Sequence, residues 1–595
     1  MKTVQRIICT LLLAGGWGHA TYAQENQTYI LHTIEKGQSL YSIASMYGVS
    51  KNDIILLNPG SDKQIYAGHT LRIPRQGSNQ QQETFHTIRQ GDTLYRLSQL
   101  YHLSSKEICD ANPGLSAANF RIGQVVRIPV VSHPQQADAP AAQAVAAPSI
   151  QGPVESRCQD MHRVKRKETV FSISRQYHLT EQELIETNPE LKGQTKIKKG
   201  SFLCIPHPKA DFYRPETTVQ PPLSNSELFE QNKQKTERLG TIRAAVILPL
   251  LPGGSSRNES ARMVEYYEGF LMAVDSLKRT GTSLDLYTYH SGSDEASLRN
   301  ILHKKELKDM DIIFGPLQQQ QIKPLAAFAE QHHIRLVIPF TSKDNTVFNN
   351  PAIYQINTPQ SYLYSEVYDH FLRQFPRAHV IFIEATSGTR EKAEFIKGLK
   401  EELRSHSIPM TSVSEDAPME TMKALLRADR TNVFIPTSGS NPVLIKALPQ
   451  LTLLVRDTPE TPIHLFGYPE WQTYTNDYLD AFFELDTYFY SSFYTNTLFP
   501  AAKNFTHQYR RWYGKEMDDR YPKYGMLGFD TGYFFLKGLS AYGSELENHL
   551  QQMNLTPIQT GFKFQRVNNW GGFINRKVFF VRFTKNFELI KLDFD

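Results

Sequence analysis

One pattern occurs three times in the first third of this chain, at a spacing that chance does not reproduce. From Gly37 to Asn58, from Gly91 to Asn112 and from Lys167 to Asn188 the separation is 21 residues each time. In the first copy an alternating stretch opening at Tyr29 leads into Gly37-Gln38-Ser39-Leu40, then Asn58-Pro59, and closes on Leu71-Arg72-Ile73-Pro74. The second copy runs from Phe85 through Gly91-Asp92-Thr93-Leu94 and Asn112-Pro113 to Arg127-Ile128-Pro129. The third runs from His162 through Lys167-Glu168-Thr169-Val170 and Asn188-Pro189 to Cys204-Ile205-Pro206. A repeat of this length is one supersecondary unit. The pattern predicts a short strand, two helices and a closing strand, with Asn-Pro ending the second helix because a residue before proline resists helical geometry.

At 595 residues the chain is too long for one core, so further domains follow the repeats. Its 65 basic and 60 acidic residues leave a net charge of +5, which argues against nucleic acid as a partner and against a dedicated basic membrane surface. Lys2 and Arg6, an apolar run from Ile7 to Ala14 and a small-residue end at Ala23 have the layout of a secretory signal peptide over 1–23. No later stretch is apolar enough to span a bilayer. Export places Cys109, Cys158 and Cys204 where disulfides persist.

Gly-Asp-Thr-Leu, then Asn-Pro, then Ile-Pro at these offsets resembles the LysM family of βααβ glycan-binding modules. The modules cover 29–74, 85–129 and 158–206. The resemblance implies binding of N-acetylglucosamine-containing glycan, peptidoglycan above all, in a shallow groove between the loop after the first strand and the loop before the last. It implicates Gly37, Gln38, Ser39, Leu40, Asn58, Pro59 and Ile65 in the first copy. In the second it implicates Gly91, Asp92, Thr93, Leu94, Asn112, Pro113 and Leu115, and in the third Thr169, Asn188 and Pro189. The third copy has Lys-Glu-Thr where the others begin with glycine, so a loop that benefits from glycine's freedom lacks it. In a βααβ module the outer strands pair antiparallel, which puts Cys158, just before the first strand, near Cys204 at the end of the last. A disulfide between them is expected to stabilise the small module by about 3 to 4 kcal/mol. Cys109, on a helix of the second copy, reads as a buried small hydrophobe.

Residues 130–157 are rich in Ala, Pro and Gln, and 207–240 are polar with prolines; both read as linkers on which the modules hang. From 241 to 595 short apolar runs alternate with amphipathic ones, the rhythm of an α/β domain with parallel sheets. Expected strands cover 244–250, 284–289, 311–314, 336–340, 379–384, 432–436 and 463–466. They fall into two groups about Tyr354-Gln355-Ile356-Asn357-Thr358-Pro359, which predicts two lobes and a hinge. A turn at Asn568-Asn569-Trp570-Gly571-Gly572 and alternating runs at 577–583 and 588–594 predict antiparallel hairpins in the tail.

The opening Ala-Val-Ile-Leu-Pro-Leu-Leu, Tyr267-Glu268-Gly269-Phe270, Ile312-Ile313-Phe314-Gly315-Pro316, the run from Arg335 to Ser342 and Gly528-Phe529-Asp530-Thr531 resemble type I periplasmic binding proteins, the branched-chain amino-acid receptor group in particular. The resemblance implies a small ligand, amino-acid-like or a muropeptide, held between the lobes at the C-terminal ends of the strands. The loops there carry Gly315, Pro316, Leu317, Thr341, Ser342, Ser387, Gly388, Thr437 and Ser438. Where amino-acid receptors show Ser-Pro-x-x-Thr and Tyr-Gly, this chain has Pro339-Phe340-Thr341-Ser342 and Ser387-Gly388-Thr389, so an amino-acid ligand does not follow from the motif.

No nucleophile elbow, no metal-spaced His or Cys set and no cysteine after 240 is present, so no catalytic residue, metal or cofactor is expected. The sequence thus points to a non-catalytic wall-binding envelope protein, a scaffold or regulator whose second half senses a ligand or docks an envelope protein. The alternatives are a transport receptor for amino acids or peptides and, disfavoured, a wall hydrolase.

Overall fold

The computed structural model describes residues 29–35, 38–62, 65–74, 84–129, 160–165, 168–177, 179–191, 197–206, 223–232, 239–252, 257–386, 391–496, 499–553 and 555–594. The expected signal peptide, Cys158 and the 130–157 linker lie outside them.

Each repeat folds as strand, helix, helix, strand. The first comprises Tyr29–Thr33, Leu40–Tyr47, Lys51–Leu57 and Thr70–Pro74, its strands antiparallel with Tyr29 opposite Pro74. The second comprises Thr84–Thr87, Leu94–Tyr101, Ser105–Ala111 and Val125–Ile128. The third comprises Asp160–Arg163, Val170–Gln176, Glu181–Thr187 and Phe202–Ile205. Hydroxyl residues fix where the helices begin. Ser39, Thr93 and Thr169 cap the first helix of each repeat, and Ser50, Ser104 and Thr180 the second, each accepting a backbone N–H three residues on. Cys109 is a free, half-buried thiol, and burial pushes its pKa up to about 11.

Residues 132–223, with the third repeat, form one unit, with a core of Val164, Ile173, Leu184, Leu191, Leu203 and Ile205. The first and second repeats belong to a single unit with the large C-terminal domain. They do not hang on tethers. Trp570, only 2% exposed, is buried in the core of the first repeat with Ile43 and Tyr47, and Phe85 and Val125 of the second repeat join the same cluster. Its ring lies 6.0 Å from Tyr47 and 5.0 Å from Phe85. The turn that presents it is locked by Asn568, whose Oδ1 accepts the N–H of Trp570 at 2.9 Å. Beside it Asn569 Nδ2 donates to Val125 O at 2.9 Å, and Gly114 N–H donates to Asn569 O at 2.8 Å. Gly114 permits this close approach: a Cβ there would lie 2.6 Å from Arg566 Cδ and 3.0 Å from the backbone oxygen of Asn569. Asn345 Nδ2 donates to the Tyr41 hydroxyl at 2.7 Å and Asn349 Nδ2 to Ser45 O at 3.2 Å. The 207–240 stretch, read as linker, contains helix Asn225–Gln231, which packs on the second repeat.

The C-terminal domain has two seven-stranded sheets. The first lobe runs Phe564–Arg566, Phe573–Asn575, Ile353–Gln355, Arg335–Ile338, Ile312–Phe314, Ile242–Leu248, Leu284–His290. The second runs Met410–Ser414, Ala378–Glu384, Thr431–Pro436, Ile463–Gly467, Thr487–Ser491, Phe579–Phe583, Leu589–Leu592. If the first five strands of each lobe are numbered in chain order, both sheets read 2-1-3-4-5, the doubly wound order of open α/β proteins, and all five are parallel. The antiparallel strands come from the tail, as expected. The chain crosses between lobes after Gln355, Ser491 and Asn575. This is the two-lobed architecture anticipated from the sequence. Strands Met410–Ser414 and Thr487–Ser491 went unforeseen, the first because its residues are mostly polar, the second because an aromatic run reads equally as core of any kind.

Replacing Trp570 with Ala is expected to cost about 3 to 5 kcal/mol in chemical denaturation of the full chain, the range for emptying a large buried aromatic site. An unchanged unfolding midpoint would show that the ring does not hold the repeats to the lobe.

Candidate functional site

The sequence implicates the loop before the first helix of each repeat, and the structure shows where its side chains go. Gly37 lies outside the described residues. Gln38, Asp92 and Glu168 turn inward on a histidine six residues earlier: His32 Nε2 to Gln38 Oε1 at 2.8 Å, His86 Nε2 to Asp92 Oδ2 at 2.9 Å, His162 Nε2 to Glu168 Oε2 at 2.9 Å. The same oxygens accept the backbone N–H of Glu35, Arg89 and Lys165. On the other side of each ring Nδ1 meets a tyrosine hydroxyl fifteen residues on, Tyr47, Tyr101 or Tyr177, at 2.9, 2.8 and 3.0 Å. Because a carboxylate only accepts, a neutral His86 donates from Nε2 and receives the Tyr101 proton at Nδ1.

The asparagines are spent in the same way. Asn58, Asn112 and Asn188 each donate from Nδ2 to a carbonyl of the second helix and to one of the last strand, Arg72 O, Arg127 O or Cys204 O. Their Oδ1 atoms accept the N–H of those strand residues. Each amide is a clamp between helix and strand. Ser39, Thr93 and Thr169 are caps, Leu40, Leu94 and Leu115 are buried, Ile65 is half-buried, and Pro59, Pro113 and Pro189 stand exposed. What faces solvent among the described site residues therefore includes the proline rims, joined by an aromatic on each first helix, Tyr41, Tyr95 or Phe171, 45 to 55% exposed. Such a surface suits an uncharged, hydrogen-bonding sugar. The His, Tyr and exposed-aromatic positions were missed, although their recurrence at one offset in three copies is the signal that finds them.

In the two-lobed domain Gly315, Pro316 and Leu317 follow strand Ile312–Phe314, and Thr341 and Ser342 follow the adjacent strand Arg335–Ile338. Gly315 has φ 122°, and a Cβ there would lie 2.2 Å from Ile247 O. Thr341 Oγ1 accepts the Lys343 N–H at 3.2 Å. Across in the second lobe, Thr437 Oγ1 accepts the Ala385 N–H at 3.0 Å. Ser387 and Gly388 lie outside the described residues. Ser438 is buried and donates to Glu391 Oε1 at 2.6 Å, and the Gly439 N–H reaches the same oxygen at 3.2 Å. Next to it Lys392, also buried, pairs with Glu470 at 2.6 Å and lies 4.7 Å from the Tyr468 ring centre. Of the donors expected on this wall for a ligand carboxylate, Ser438 is thus engaged by the protein's own Glu391, and the neighbouring Gly439 N–H with it. Nothing in the periodicity marked Glu391, Lys392 or Glu470. Among the described residues no His, Cys, Asp or Glu cluster has the makeup of a metal site, and no helix is long and apolar enough to cross a membrane.

Residues 32–74, 86–129 and 162–206 match the LysM domain model. The three repeats are LysM domains. An N-acetylmuramoyl-L-alanine amidase, sle1, of Staphylococcus haemolyticus is 24% identical over 130 residues, 21% of this chain and 39% of that protein. An autolysin of Enterococcus faecalis is 30% identical over 105 residues, 16% of this chain and 14% of that one. The chain therefore spans well under half the length of either curated relative. A putative branched-chain amino acid ABC transporter structure from Rhodospirillum rubrum aligns with 59% of this chain and 100% of its own, at 12% identity and a TM-score of 0.41. The two-lobed fold is established by the strand order itself.

Burial holds the His32 pKa below its ordinary value, partly offset by the hydrogen bond to Gln38. A histidine depressed in the folded state binds its proton more readily when unfolded, so the stability tied to its neutral form is complete above about pH 6.5 and declines as pH falls below it. Denaturation midpoints between pH 5 and 8 are expected to fall on acidification more steeply in the native chain than in His32→Gln. Parallel curves for the two would remove His32 from the pH response.

Proposed function

We propose that this protein is a non-catalytic component of the cell envelope that holds peptidoglycan through its LysM domains and presents the two-lobed domain, fixed to that anchor, to an envelope partner. Peptidoglycan binding is what LysM domains imply. The observation that carries the rest is the joint at Trp570, Asn569 and Asn345, which makes the first two LysM domains and the two-lobed domain one unit. A receptor that carries solute to a permease gains nothing from being built into its wall anchor; a scaffold or regulator does.

A small ligand, a muropeptide or an amino acid, is the second reading, supported by the cleft the fold creates at its strand ends. Glu391 on Ser438 and Gly439 weighs against a free amino acid, whose carboxylate would compete for the same donors. The partial likeness to an amidase and an autolysin falls within a fifth or so of this chain, too little to bring their chemistry with it.

Purified sacculi are expected to sediment the full chain, and a protein left in the supernatant would end the wall-binding reading. In thermal unfolding, free amino acids are expected to leave the transition in place. A stabilisation of roughly 2.7 kcal/mol, as given by a ligand at about 100 times its Kd, would instead favour a receptor.

Export with removal of residues 1–23 and a Cys158–Cys204 disulfide belong to the same reading. Thiol labelling of protein recovered from the envelope is expected to modify Cys109 alone before reduction, and Cys109, Cys158 and Cys204 after it. Labelling of all three without reductant would reject the disulfide.

A further inference from the structure

Helix Asn225–Gln231 has well-made ends but cannot stand alone. Ser224 Oγ accepts the Glu227 N–H at 3.3 Å, while Glu227 Oε2 accepts the Ser224 N–H at 2.7 Å, a reciprocal cap. Seven residues are still far too few for a stable helix in water, so its surroundings hold it. Those surroundings are the second LysM domain. Asn225 Oδ1 accepts the backbone N–H of Leu94 at 2.8 Å, one of the donors that the start of a helix leaves without an internal acceptor. Leu228, 7% exposed, joins the cluster of Leu94, Leu97 and Leu115. The Phe229 ring lies 6.0 Å from Phe120, and Asn232 Nδ2 donates to Ser105 Oγ at 3.2 Å.

These contacts fall on a particular surface. Leu94 ends the loop after the first strand, and Phe120 lies in the loop before the last. They are the two walls of the groove in which a LysM domain is expected to take its glycan. An asparagine side chain supplies an amide oxygen to a loop N–H, as the acetamido group of an N-acetylated sugar would, and a leucine and a phenylalanine cover apolar surface beside it.

We propose that the groove of the second LysM domain is a helix-binding site whose ligand is segment 225–231 of this chain, so that the helix excludes glycan from that domain. The exclusion rests on the reading of these domains as glycan-holding modules; the docking of the helix does not. Wall contact then belongs to the first and third domains, and the second serves as a clasp that fastens the segment leading into the two-lobed domain.

The test uses the full chain, tetra-N-acetylglucosamine as probe, and hydrogen exchange resolved by segment. In the native chain the saccharide is expected to slow exchange in the loops of the first and third domains and to leave 91–94 and 115–120 unchanged. In Leu228→Glu the helix should exchange about tenfold faster or more, and the saccharide should now protect 91–94. Asn225→Ala, a milder change, should speed exchange of the Leu94 amide and keeps the test open if Leu228→Glu does not fold. Saccharide protection of 91–94 in the native chain with the helix still slow would overturn the proposal. So would a released helix with no protection at 91–94 while the other domains respond. If the saccharide protects no domain at all, the glycan reading falls; the helix site then stands if the Leu94 amide exchanges faster in Asn225→Ala and falls with it if exchange is unchanged.

Discussion

Burying the Trp570 ring between Tyr47 and Phe85 takes out of water the largest apolar group at the tip of a first-lobe hairpin, and no single piece of the chain buries it alone. The first LysM domain supplies most of the lining, the second closes it with Phe85 and Val125, and the hairpin supplies the ring. Each of these small modules has only a slender core, so sharing one aromatic among three pieces stabilises all of them at once. The polar contacts around it, Asn569 to Val125 and Asn345 to Tyr41, fix the orientation that the apolar contact leaves free.

The modules themselves repeat an internal grammar. A histidine ties the loop before the first helix to a tyrosine at that helix's end, and an asparagine ties the second helix to the last strand. Residue types that vary between copies keep one function: Gln38, Asp92 and Glu168 all place an oxygen at the same spot. Glu168 therefore keeps the inward contact of the third copy, whose sequence has Lys167 where the others have glycine.

Much of this was legible in the sequence, for identifiable reasons. The βααβ units followed from a spacing, and the two-lobed α/β domain from apolar runs that must be buried on both faces, such as 244–250. Trp570 was marked only as part of a turn, because its burial depends on surfaces supplied from residues 30 to 125. Helix Asn225–Gln231 was hidden by its polar, proline-flanked setting; its one buried leucine means little without a docking surface. The sequence named candidate positions but not which way their side chains turn. Asn58, Asn112 and Asn188 stand where expected, yet their amides face inward, since a motif shows that a residue recurs and not which way it points. Glu391 and Lys392 carried no pattern, because their partners Ser438 and Glu470 are far off in the chain and reach them only through tertiary approach.

The hydrogen bonds that fasten the first two LysM domains to the two-lobed domain end on Asn345, Asn349 and Asn569, all in first-lobe loops. The first lobe thus shares one frame with the first two LysM domains, and the second lobe is joined to that frame through the first. Arg576 sits at the junction of the two lobes. It follows the last crossing strand, bonds Gln565 of the first-lobe sheet at 2.6 Å, pairs with Glu366 of the second lobe at 3.2 Å, and its charge counters the burial that raises the pKa of Glu35 in the first LysM domain. Glu366, Arg576 and Glu35 thus form a line of charges that runs from the second lobe past the first-lobe sheet to the first LysM domain.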